Sequence, residues 1–428
     1  MMPRPGRPPV LISYAAFILI GITAGTGGVL LVAQMSGYGV DRATIGVTFF
    51  TSSIGFVLAG LSNGALIRAL GFRASVAVGS GGFVLVGLYL ASRPPFIAFA
   101  GVQVIFGYST GVLESVLNAY IASQPEARGL LNRLHAFFGV GALVGPVLAS
   151  WMLSFAGWPA VWLALAIAGV PLLAGFALTY PGRTAASPPA PLPVAPALAE
   201  APAALAEPAP PVAPALPVEP APPVSPASRS GSLLGAALRQ RGVLLGSLLL
   251  AVYVGLEIGV GNWGFSYLVQ GRGLAGLTAG YAVSGYWLGL TVGRFLISPV
   301  AARLGASTAR MIYACMLGVI AAALLVWLAP GEGAAIAALA LLGFFLGPIF
   351  PTSMAIVPEL TEADLAPTAI GIMNAGAVIG GSALPWLAGV ITQSAGTWTL
   401  LPFAVTLGVL ELAAWRPVAR RIQIAREG

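Results

Sequence analysis

The chain has no lysine, one histidine and one cysteine, and only 8% of its 428 residues are charged. A lone cysteine, Cys315, excludes an intrachain disulfide and reads as a small apolar side chain inside a helix. A lone histidine, His135, has no second ligand at metal-site spacing, so it is expected to hydrogen-bond the neighbouring loop or to titrate in a proton path. No phosphate-binding glycine loop, nucleophile elbow or metal-ligand cluster is present, which argues against ATP-driven pumping and against a membrane-embedded hydrolase. Soluble globular chains carry about 25% charged residues. With 58% hydrophobic residues and a mean hydropathy of +0.92, this chain is solvated mainly by lipid.

What is there is a series of apolar runs. Crossing ~30 Å of hydrocarbon as a helix takes roughly 20 residues. About twelve runs meet that length, near residues 10–35, 44–67, 74–92, 95–121, 132–156, 158–180, 241–268, 277–300, 309–329, 333–357, 366–391 and 396–415. Helices satisfy their own backbone in lipid, and no long alternation suggests a barrel. The first run is too long for a signal-peptide core and reads as an uncleaved span.

The net charge of +7 rests entirely on arginine. Only Arg42, Arg93 and Arg272 fall in loops on one side of this topology and Arg294 inside a span; all the others fall on the opposite side. That asymmetry is a topology signal, not a nucleic-acid footprint, and it predicts a multi-pass cell-membrane protein with both termini and the central linker in the cytoplasm.

The chain is also written twice. Gly46, Gly55, Leu70 and Gly71 align with Gly280, Gly289, Leu304 and Gly305, and Gly141, Ala142, Gly145 and Trp151 with Gly376, Ala377, Gly380 and Trp386. Between the copies, residues 184–232 form a Pro/Ala tract that favours a semi-extended tether. The resulting organisation is an N-terminal six-helix bundle over 1–181, a cytoplasmic linker over 182–240 and a C-terminal six-helix bundle over 241–428. Each bundle has an even number of helices, so the copies share one orientation about an axis along the membrane normal. Gly141 with Gly145, and Gly376 with Gly380, form small-xxx-small faces, either for simple tight packing or for rocking between halves.

Three acids lie inside predicted spans, where an ionised carboxylate costs at least ~2.5–3.5 kcal/mol. Glu411, near a predicted helix end and five residues before Arg416, is expected to reach the interface or pair locally. Glu114 and Glu257 have no such exit. Gln103, Gly107, Thr110, Gly111, Glu114 and Asn118 share one face of the fourth helix, a stripe suited to a water-filled cavity. Glu257 stands near Asn262 and Trp263; Trp263 suits either sugar stacking or the interfacial belt. Ser284, Trp287, Thr291, Arg294 and Ser298 repeat the stripe in the eighth helix. Arg294 could snorkel or pair with an acid. Asn374 is a further lining candidate.

The loop "GALIRALGFR" is similar to a signature of the major facilitator superfamily. Gly64, Leu66, Gly71 and Arg73 match it, with Arg68 where an aspartate is expected and Ala69 where an arginine is; "SPVAARLGAS" keeps Arg303 and Gly305. The segment "GYSTGVLESVLNAYI…LLNRLHAFFGVGALVGP" resembles the fucose-permease-like branch, with Leu113, Glu114, Asn118, Tyr120, Arg133, Leu134, His135, Phe138, Gly141 and Ala142 at matching places. The resemblance implies an all-α membrane fold of twelve helices in two bundles related by a pseudo-two-fold axis. It also implies proton coupling and substrate recognition at the glutamate matching Glu114, and a cytoplasmic gate at Gly64, Arg68, Gly71, Arg73 and Arg303. The branch's first-helix aspartate has no counterpart here.

The function expected is therefore secondary active transport of a small polar, sugar-like solute, coupled to protons by alternating access. Glu114 and Glu257 are the coupling candidates; Gln103, Asn118, Asn262, Trp263, Trp287, Arg294 and Asn374 are the cavity candidates. The rivals are a proton-driven efflux antiporter for amphipathic compounds and a non-transporting membrane receptor or scaffold. The expected partners are a small-molecule substrate and the bilayer, without nucleic acid; no cofactor is expected besides the proton gradient, and the chain is expected to be a monomer.

Overall fold

The computed structural model describes residues 7–182 and 230–427. Most of the tether expected over 184–232 lies outside the described residues. The first half holds α1 (Arg7–Tyr38), α2 (Arg42–Ile45), α3 (Val47–Ala91), α4 (Phe96–Ala122), α5 (Ala127–Leu153) and α6 (Trp158–Thr179). The second holds α7 (Ser230–Arg239), α8 (Arg241–Ser266), α9 (Gly276–Arg303), α10 (Thr308–Leu328), α11 (Glu332–Leu346), α12 (Ile349–Ala355), α13 (Val357–Leu360), α14 (Ala366–Ala395) and α15 (Leu400–Glu427). The end of the expected linker, just before α8, includes the short helix α7.

Ten helices of the described residues are long and apolar enough to cross a membrane. One of them, Arg42–Ala91, is 50 residues long, or roughly 75 Å at 1.5 Å per residue, more than two bilayer cores. It is two spans that run into each other. They separate at Gly71, whose φ of 77° and ψ of 171° break the helix, so the expected 44–67 and 74–92 runs are joined without a loop. α9 is not among the ten, because glycine, hydroxyl residues and Arg294 dilute its hydropathy. Counting both, the described chain crosses twelve times.

The sequence repeat becomes a packing repeat. α1 packs on α5 and α8 on α14; α3 packs on α4 and α9 on α11; α3 packs on α6 and α10 on α15. Lipid offers helices no hydrophobic reason to associate, so close backbone approach has to supply the contact. A Cβ on Gly55 would lie 1.9 Å from the Val104 carbonyl oxygen, and one on its counterpart Gly289 would lie 2.0 Å from that of Ala340. Gly141 and Gly145 meet Ile18 and Ile22 of α1, and Gly376 and Gly380 meet Ser247 and Ala251 of α8. These last four glycines therefore seal seams inside each bundle. Of the two readings left open for these faces, the contacts match tight packing within a bundle: a seam this tight holds its two helices as one body.

Replacing a seam glycine should overpack it at a cost of about 1–3 kcal/mol. Gly289→Ala is expected to lower the unfolding temperature of the purified protein. Gly259→Ala, where an added methyl meets nothing within 4 Å, should leave it unchanged or raise it. Equal melting of the two variants in detergent would sink the seam argument.

Candidate functional site

Among the described residues, the hydrogen bonds between the two bundles cluster toward one side. Call the side bearing the described chain ends the terminal side, and the other the far side. Arg42, at the far-side start of α2, donates from Nη1 and its backbone N–H to Gln393 of α14, both at 3.3 Å, and from Nη2 to Gln270. Asp41 caps α2 through Thr44, 2.7 Å away, and so fixes the turn that presents Arg42. These hydrogen bonds hold the Asp41 carboxyl below its usual range.

Beneath that latch, a Cβ on Gly28 would meet the Asn262 carbonyl oxygen at 2.6 Å. Phe49 lies edge-on to Trp263, Phe50 edge-on to Trp386, and the Ser53 and Ser382 hydroxyls are 2.6 Å apart. The aligned glycines do matching work here. Gly46 sits against Trp386 of the other bundle, and Gly280 against Ser150. Among the described residues, the hydrogen bonds crossing between the bundles all lie between the far side and the middle of the spans. The molecule is closed on the far side.

Just below this closure lies a small pocket lined from both bundles. α5 supplies His135 and Phe138, α8 supplies Glu257, and α9 supplies Trp287, Thr291 and Arg294. Gly139 forms its roof by letting α5 approach Thr291. Arg294 acts electrostatically on both Glu257 and His135. Among the described residues no direct ion pair joins Arg294 to Glu257; the Tyr253 hydroxyl reaches the Glu257 carboxyl instead. The Trp287 indole N–H is buried without a partner, a further donor in the same wall. His135 stacks edge-on against Phe17 at 5.6 Å and lines the pocket; the expected bond to the loop before α5 is replaced by this role.

Arg294 is held by a feature the sequence reading did not use. In "GPIFP", residue 351 is proline and has no N–H to give the Gly347 carbonyl four residues earlier. α11 ends at Leu346 and α12 begins at Ile349. Arg294 Nε donates to the orphaned Gly347 oxygen at 3.4 Å, and the Tyr253 hydroxyl donates to that of Leu346 at 3.1 Å. Irregular backbone at membrane depth is tolerated where protein satisfies it. The paired prolines would have signalled such a break; of the two expectations for Arg294, the interaction with an acid across the pocket is represented by its electrostatic effect on Glu257.

The other candidates separate. Glu114 is half-buried on the face of α4 opposite the exposed Ile105, so it points into the protein and away from lipid. It does not line the pocket around Arg294. Gln103 and Asn118 are buried on the same face, and both polar side-chain atoms of Asn118 lack partners. Asn374 is half-buried on α14 with its carbonyl oxygen unpartnered. Asn262 bonds its own helix at Ile258. Trp263 is corrected from cavity lining to closure packing: it is 1% exposed and its indole N–H donates to the Pro385 carbonyl at 2.8 Å.

Glu411 has surroundings other than those expected. Expected near a helix end, it sits well inside α15, which runs on to Glu427, and it is fully buried. Neither the interface nor Arg416 satisfies it; both carboxyl oxygens lack partners.

The profile of the Major Facilitator Superfamily matches residues 12–334 and 264–423. The chain belongs to that superfamily. It is a membrane transporter by family, and the twelve-helix, two-bundle architecture is the superfamily's. The Saccharomyces cerevisiae protein called Bypass of stop codon protein 6 is 25% identical over 406 residues, covering 90% of this chain and 77% of that protein. A bacterial homologue of the human lysosomal transporter Spinster, solved inward-facing and unoccupied, superposes with TM-score 0.72 at 11% identity, covering 98% of this chain and 97% of that one. A variant of the E. coli fucose:proton symporter gives TM-score 0.58 at 18% identity, covering 96% and 98%. At such identities the likeness is one of fold.

The superfamily-like loop between the second and third spans is built around the Gly71 break. Arg73 Nε donates to the Tyr180 carbonyl at 2.6 Å and ties the break to the end of α6. Arg68 and Arg303 are exposed on the terminal side, and Gly305, like Gly71, has a positive φ of 65°. Gly64 has only the Arg68 guanidinium near it. In this superfamily member the gate that is closed is the other one. A hydrogen bond to a charged group contributes about 1.5–3 kcal/mol, so Arg42→Ala should open the far side about tenfold more often. The check is maleimide labelling of Ser53→Cys from the far side, with and without Arg42→Ala; identical rates would remove the latch.

Proposed function

We propose that this transporter is a proton-coupled carrier of a small polar solute, in which the two bundles rock to expose the pocket to either side in turn. Its support is the arrangement of Glu257, Arg294, His135 and the free indole N–H of Trp287 around one pocket under a one-sided closure. A guanidinium and a carboxyl in one wall, beside an aromatic face, suit a ligand rich in hydroxyl or other hydrogen-bonding groups. The fucose:proton symporter with the same fold shows that such bundles carry sugars with protons in at least that protein. Glu114, inward-facing and without a polar partner among the described residues, is the first coupling candidate. In this reading the terminal side is cytoplasmic, following the arginine asymmetry, and the chain resides in a bacterial-type inner membrane as a monomer.

Phe138, Leu290 and Phe295 also line the pocket, and these favour the rival reading of an exporter for amphipathic compounds. One experiment addresses both. Purified protein in lipid vesicles is given an imposed pH gradient and a panel of sugars and amphipathic cations. The expected result is gradient-driven accumulation of a sugar, lost at least about tenfold in Glu114→Gln while gradient-independent exchange persists. Accumulation of the same solute by Glu114→Gln at the wild-type level would remove Glu114 from the coupling, and expulsion of the cations alone would favour the exporter.

A further inference from the structure

α15 carries an acid that the pocket does not use. Glu411 is fully buried, and both of its oxygens are unpartnered among the described residues. α15 packs chiefly on α8 and α10. The titratable groups facing Glu411 from those helices are Glu257 on α8 and Cys315 on α10; neither supplies a positive charge. The cation that acts on Glu257 is Arg294 on α9. Arg416 is exposed.

An ionised carboxylate in that setting bears the full cost of leaving water, several kcal/mol, with nothing to offset it. A neutral acid is tolerable, yet an acid whose only task is to fill space is less stable there than an apolar side chain of similar volume. An orphaned, buried carboxyl in a membrane bundle is explained by a partner that arrives and leaves, and the proton is one small enough to do so without a cavity.

We propose that Glu411 is a proton-binding site of the second bundle, distinct from Glu114 and reached from the pocket past Glu257. The O–H bond of the Glu411 carboxyl breaks, its proton passes to the Glu257 carboxylate and then to water in the pocket, and Glu411 is left ionised until a proton returns by the same route. Its place in a transport cycle rests on the proton-coupled reading above; the site itself does not.

The test is infrared spectroscopy of the purified full-length protein at neutral pH, which sees the C=O stretch of protonated carboxyls directly. The expected result is a band present in the wild type and in Glu114→Gln, absent in Glu411→Gln and displaced in frequency in Glu411→Asp. The aspartate variant keeps the test alive should the glutamine variant fail to fold. Transfer to D2O should shift the band, and Glu257→Gln should slow that shift at least about tenfold, which a sealed, purely structural acid would not do. A spectrum unchanged by both Glu411 variants, or a Glu411 band that never exchanges in D2O, overturns the proposal. Loss of the band with normal exchange supports it even if the vesicles fail to transport, so the two readings fall separately.

Discussion

Everything in this fold depends on helices associating in a solvent that does not push them together. Apolar side chains gain little by leaving lipid for protein, so cohesion comes from backbones brought to contact distance. Gly55 and Gly289, with methyl-forbidding carbonyls about 2 Å from where a Cβ would stand, show how that is done. The α1–α5 and α8–α14 seams repeat the device in each half. Such seams leave no room for sliding between the helices they join.

The surface where the bundles meet is built differently. On the far side it consists of one arginine spanning two glutamines, a pair of serine hydroxyls and edge-on aromatics, contacts that can be exchanged for water at modest cost. Below them Glu257, Arg294 and His135 line one small pocket between the bundles. The pocket's cation is anchored to a carbonyl that a proline pair leaves unsatisfied, so the backbone break and the binding group stabilise each other. A polar group this deep in a membrane protein is retained where it is satisfied or where its partner is a transient ligand, and Arg294 and Glu411 are one of each.

The fold was legible in the sequence because both of its determinants are local. Runs of about twenty apolar residues mark spans, and glycines at fixed offsets mark seams; Gly46, Gly55, Gly71, Gly141 and Gly145 each occupy the same structural role as their aligned partners. The boundaries that failed did so for physical reasons. Gly71 turns the chain without a polar loop, and α15 outlasts its apolar stretch, which is why Glu411 was misplaced near an end. Site residues were less legible. Periodicity set Glu114, Gln103 and Asn118 on one inward face, but could not say that Glu257 and Arg294 would meet His135 across the bundle boundary. Trp263 looked like a ligand platform because aromatic residues near glycines serve both packing and binding, and only its bond to Pro385 decides between them.

The account stands or falls on whether the bundles move as rigid bodies about their shared surface. Spin labels placed in pairs, one set across the α1–α5 and α8–α14 seams and one set across the far-side ends of α2 and α14, can be followed by electron–electron distance measurement in lipid as the protein is driven between states. The account predicts that the far-side distances lengthen while the seam distances stay fixed. Seam distances that change together with the far-side ones would contradict it.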